Sequence, residues 1–101
     1  MRVLVFFDLP VQTGEDRREY ARFRKHLLKN GFMMVQESVY SKLALNMSAA
    51  AAVMQSVRVQ KPPRGLVQML VVTEKQYARM EYIVGERQTE IVESDERTIY
   101  L

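Results

Sequence analysis

The chain opens with the run "RVLVFFDLP", residues 2 to 10, in which apolar side chains fill consecutive positions instead of alternating with polar ones. Such a run predicts a strand covered on both faces and ended by Pro10. It leaves Asp8 at the mouth of that strand, where a charge is costly unless something compensates it. "TGEDRREYARFRKHLLKNG" then carries helix periodicity with its punctuation: Thr13 as N-cap with Asp16 three positions on, good helix formers through Lys29, and Asn30-Gly31 as the stop. "FMMVQESVYSKLAL" reads as extended, with a kink or bulge at Gln36-Glu37-Ser38. Asn46 caps a second helix through "MSAAAAVMQSVRVQ", which Pro62-Pro63 ends. "GLVQMLVVT" is another apolar strand, followed by a short turn at residues 74 to 77. In "ARMEYIVGER" Met80, Tyr82 and Val84 alternate with Arg79 and Glu81, which predicts a half-exposed strand. The tail holds "EIVE" and "TIYL" on either side of an acidic turn, apolar groups that need a partner surface.

This order of elements in 101 residues predicts one domain, residues 1 to 101, of the α+β class: an α/β sandwich with two helices on one face of a sheet. Two helices cover only one face. Leu4, Phe6, Leu70 and Val72 nevertheless share their strands with equally apolar neighbours of opposite parity. The open face is therefore expected to pack on a second copy, making a homodimer, with residues 90 to 101 pairing with a neighbouring sheet edge.

The net charge of +3 hides an asymmetry: residues 1 to 64 hold eleven Lys/Arg against five Asp/Glu, residues 65 to 101 four against seven. A polyanion would bind the first part. There is no cysteine, hence no disulfide framework and no thiolate metal site. No stretch has the pattern of a secretory signal or the length of a bilayer span, and the expectation is a cytoplasmic protein.

The first predicted helix concentrates the charge. Arg18, Arg22, Lys25 and Lys29 fall in one stripe, with Tyr20, Phe23 and Leu27 opposite. The stripe reads as a phosphate-facing surface or as a solvated face. Arg17 and Arg18 sharpen the first reading: in the first turn the helix dipole disfavours cations by about 0.3–1 kcal/mol, so arginines there suit an anion better than they suit the helix. Arg24 falls among the apolar positions and is expected in an ion pair. Arg58, Lys61 and Arg64 form a second basic group around the Pro62-Pro63 break, able to follow a nucleic-acid backbone or simply to solubilise a loop. His26 has no second histidine or cysteine for a metal set and reads as a helix-surface residue, and Met33 and Met34 as filler at a core or subunit contact. Ser38 and Tyr40 lack a histidine–carboxylate relay, so nucleophilic catalysis has little support.

"VLVFFDLP", the helix "YARFRKHLLKNGF" and "VQESVY", in that order and spacing, resemble the CRISPR-associated Cas-two (Cas2) family over essentially the whole chain, in the variant found in systems that use Cas-nine. The resemblance implies a ferredoxin-like βαββαβ fold, with the kinked segment counted as two strands, and an extra C-terminal strand segment. It implies a homodimer in which Asp8 lies near the axis opposite its twin, where two carboxylates and waters would hold Mg²⁺ for cleavage of RNA or DNA. It also implies a non-catalytic role: a bridge between Cas-one integrase dimers that holds prespacer duplex DNA during spacer acquisition. One candidate ligand per chain, against many phosphate-suited cations, favours the bridge over the nuclease. A third reading, a ferredoxin-like regulatory domain binding a small metabolite, is disfavoured by the one-signed helix stripe and the lack of a Gly-rich loop, so no small-molecule substrate is expected.

Overall fold

The computed structural model describes residues 1 to 86; the expected pairing of residues 90 to 101 lies outside the described residues. The elements run β1 (Arg2–Asp8), α1 (Gly14–Lys29), β2 (Met33–Gln36), β3 (Val39–Leu43), α2 (Met47–Val59), β4 (Leu66–Val72) and α3 (Glu74–Ala78). The strands form one antiparallel sheet in the order β2-β3-β1-β4, with β1 paired to both β3 and β4. This is the ferredoxin-like βαββαβ arrangement. The "FMMVQESVYSKLAL" segment is indeed two strands, with a register shift between Met34 and Gln36 and a turn in which Ser38 adopts φ 67°.

Both long helices start where their caps say. The Thr13 hydroxyl accepts from the Asp16 N–H at 3.0 Å and Asp16 Oδ2 accepts from the Thr13 N–H at 3.3 Å, a reciprocal capping box; Asn46 accepts from the Ala49 N–H at 2.8 Å. α1 stops at Gly31, whose φ of +88° suits glycine. A Cβ there would lie 2.6 Å from Lys42 Nζ, which itself holds the Asn30 carbonyl at 2.7 Å.

Val3, Val5 and Phe7 of β1 meet Phe23 and Leu27 of α1, Tyr40 of β3, and Ala50 and Val57 of α2 in the core. Phe7 is its hub, with ring centroids 5.2 Å from Phe23 and 5.7 Å from both Tyr20 and Tyr40. Of the alanine run only Ala50 is fully buried, because one side of α2 faces the sheet.

As the two-helix pattern predicts, β1 is covered by helices on one face only; on the other, Leu4 is buried and Phe6 half-buried, but Leu43, Leu66 and Leu70 are more than half exposed. Three expectations need correction. Residues 74 to 77 belong to a single-turn helix, α3, capped by Thr73 and Gln76 and held to β1 by Arg2, which grips the Glu74 carboxylate at 2.8 and 2.9 Å and lies 4.3 Å from the Tyr77 ring centroid. Residues 79 to 86 are not a strand: a strand needs an edge to pair with, and this segment bends at Gly85 with Ile83 and Val84 almost fully exposed. Arg24 is exposed, since it falls at the flank of the buried stripe, and has no ion pair among the described residues.

Candidate functional site

The side chains that face away from the sheet on α1 are Arg18, Lys25 and Lys29, all exposed and without an ion pair among the described residues. Arg22 leaves this ridge and leans toward α2. Its Nε pairs with Glu19 at 2.8 Å, its Nη1 donates to Gln60 Oε1 at 3.2 Å, and its Nη2 donates to the Gln60 and Lys61 carbonyls at 3.2 and 3.5 Å. On one side of this clamp Arg64 pairs with Asp16; on the other His26 Nε2 approaches Ser56 Oγ at 3.5 Å. The helices are thus antiparallel, joined by a polar seam of three steps. The seam ties the end of α2, where the second basic group begins, to α1, while Arg58 and Lys61 themselves line a depression beside β4 with Val67 and Met69. Lys61 is exposed and has no ion pair among the described residues, where Arg58 bonds only the neutral Gln55, at 3.0 Å.

Arg17 has folded back, its Nη1 donating to the carbonyls of Val11 and Gln12 at 3.2 and 3.3 Å. The helix begins at Gly14, so its first turn holds Glu15 and Asp16, with Arg17 and Arg18 just beyond. The dipole is therefore complemented by acids, and the cleft of about 350 Å³ at this helix end is lined by Glu15, Asp16 and Glu19 together with Arg64, the partner of Asp16. The cations without an ion pair among the described residues lie along the outer ridge.

Two groups in the seam carry shifted pKa values. The hydrogen bond from Arg64 holds the Asp16 carboxyl below the usual carboxylate range, against the opposing effect of burial, with help from Thr13. Burial, then the charges of Arg22 and Lys29, push His26 below the usual imidazole range. Its Nδ1 faces Asn30 Nδ2 at 3.2 Å, so His26 is a seam residue and not a free surface group.

Asp8 ends β1 opposite Leu66 of β4 and is exposed, so water compensates the charge that the sequence pattern alone made costly. It borders a shallow depression of about 160 Å³ on the open sheet face with Phe6, Ser38, Val39, Leu66 and Gln68. Gly65, at φ +102°, packs close to the Asp8 carbonyl and fixes the loop after Pro63 against the end of β1. Among the described residues no group of three acidic, histidine or cysteine side chains is placed to hold a metal ion, and the depression beside Asp8 contains no second carboxylate, where Mg²⁺ takes about six oxygens.

Sequence reasoning missed Asp16 and Gln60 as anchors. Asp16 was legible as a cap, but nothing local signals a partner 48 positions away.

Residues 1–80 match the family described as CRISPR associated protein Cas2. A CRISPR-associated endoribonuclease Cas2 of Treponema denticola is 56% identical over 101 residues, covering all of both chains. One of Streptococcus mutans is 50% identical over 101 residues, covering 100% of this chain and 93% of that one. The crystal structure of Streptococcus pyogenes Cas2 at pH 6.5 shares the fold with a TM-score of 0.59, over 84% of this chain and 100% of that one, at 19% identity. Among the described residues no helix is long and apolar enough to cross a membrane.

Proposed function

The chain belongs to the CRISPR-associated Cas2 family, and from that premise we propose that it works as a dimeric scaffold in spacer acquisition, bridging Cas-one integrase dimers and holding prespacer duplex DNA by its phosphate backbone. The observation that supports this most is the Arg22 clamp. By tying α1 to the end of α2 it keeps in one helix layer the positive surface of Arg18, Lys25 and Lys29 and the basic pair Arg58 and Lys61, with Glu15 the one unpaired acid described on either helix. Such a surface binds by charge and ignores sequence. The open sheet face, with Leu43, Leu66 and Leu70 exposed, is the face on which a second copy would pack. The test is to measure binding of two duplexes of unrelated sequence: nearly equal affinities support the scaffold, and a strong preference for one contradicts it.

A second reading has its own support. Relatives carry the name endoribonuclease, and Asp8 is an exposed carboxylate at a strand end, with no ion pair among the described residues to give it a structural role. In this reading Asp8 and its twin in a second copy hold the metal between them, because the residues of one chain do not. Metal-dependent RNA cleavage that Asp8→Asn abolishes would favour it.

A further inference from the structure

Asp16 is the one buried carboxylate among the described residues, 8% exposed, yet its partner Arg64 is 64% exposed. Asp16 spends one oxygen on the Thr13 N–H and the other on Arg64 Nη2. The remaining guanidinium N–H groups have no hydrogen-bond acceptor among the described residues, and the side chain is largely exposed at the rim of the cleft that Glu15 and Glu19 also line. The stem of Arg64 is restrained as well: Pro62 and Pro63 precede it, and Gly65 after it is packed on the Asp8 carbonyl and Leu9. Arg18, Lys25 and Lys29 have no such anchor among the described residues.

We propose that Asp16 is a positioning residue for nucleic-acid binding: it holds the Arg64 guanidinium at the end of the helix layer with its free N–H groups outward, ready for a phosphate of the duplex. The inference rests on the reading of the helix layer as a phosphate-binding surface. Its physical basis is preorganisation. A guanidinium already held by a buried carboxylate loses little side-chain freedom when it binds, and it can use its planar fork directionally, which a free lysine cannot. The pair is nearly neutral at long range, so Arg64 contributes directed hydrogen bonds more than electrostatic steering.

The test is a double-mutant cycle on the full chain with a fluorescently labelled duplex as probe. Asp16→Asn keeps an oxygen for the Thr13 cap and removes the charge. If Asp16 acts through Arg64, this change weakens binding by at least about threefold when Arg64 is present and has no such effect in an Arg64→Ala background. Arg64→Lys, which keeps the charge and loses the fork, weakens binding as well and gives a variant with the capping box untouched. Equal effects of Asp16→Asn in both backgrounds, or tighter binding once the negative charge is removed, would overturn the proposal. A Lys25→Ala, Lys29→Ala variant run alongside separates the two levels. If it binds as well as the parent chain, the phosphate-binding surface itself is wrong; if it binds less well while the cycle is additive, only the role of Asp16 is.

Discussion

Arg22 of α1 donates to both the side-chain and the main-chain oxygen of Gln60 at the end of α2, at 3.2 Å each, and is itself braced by Glu19 at 2.8 Å. A cation that looked like one more member of a phosphate ridge is thus the residue that joins α1 to the end of α2. Arg22→Ala removes several hydrogen bonds at a half-exposed site and is expected to cost about 1–2 kcal/mol. Urea unfolding checks this; a variant as stable as the parent chain contradicts the clamp.

Acid stability follows from the seam and from the Arg2–Glu74 pair. The Asp16 and Glu74 carboxyls are both held low, chiefly by hydrogen bonds from Arg64 and Arg2. They ionise at lower pH in the folded chain than in the unfolded one. Their stabilisation is therefore complete above the ordinary carboxylate range and is lost as pH falls through the folded values. His26 acts at higher pH: its folded value lies below the ordinary 6.5, so the unfolded chain takes the proton first and stability declines as pH drops below that point. His26→Gln should flatten that upper part of the pH profile, and Asp16→Asn the acidic part, in thermal melts across pH.

Asp8→Asn should fold normally. The side chain is exposed and the change is nearly isosteric, so stability should move by no more than about 0.5 kcal/mol. Duplex binding and spacer acquisition should survive, because neither uses the carboxylate in the scaffold reading. Loss of acquisition in a folded variant would move the balance to the nuclease.

The exposed leucines of the open face should be covered in solution by a second copy. Light scattering is expected to show a dimer at micromolar concentration, and Leu66→Glu with Leu70→Glu a folded monomer, since a charge facing its twin across an apolar interface is costly. A well-behaved monomer of the unaltered chain would contradict this.

Most of the fold was legible because it was written locally. Thr13 with Asp16, Asn46, Asn30-Gly31 and Pro62-Pro63 mark helix ends through interactions within a few residues, and the unbroken apolar runs mark β1 and β4 as strands without saying which of their two apolar faces is the core. The resemblance in "FDLP" and "VQESVY" supplied the split of the kinked segment into two strands. Pairings between distant positions were not legible. Arg22 with Gln60 and Arg64 with Asp16 depend on how two helices meet, and a helical wheel ranks Arg22 with Lys25 although one is clamped and the other exposed. The alternation in residues 79 to 86 misled for a related reason: a strand pattern states a preference, and the pairing edge is supplied by the rest of the fold.

Whether the α1–α2 layer is one phosphate-binding surface is decided by the salt dependence of duplex binding for a Lys25→Ala, Lys29→Ala, Lys61→Ala variant. The change spans both basic groups and removes no side-chain bond of the seam. A phosphate-binding layer requires weaker binding for every duplex sequence and a slope of log affinity on log salt shallower by about 0.9 for each phosphate that the variant no longer neutralises. An unchanged slope and affinity would show that the ridge is only a solvated face and that the DNA lies elsewhere.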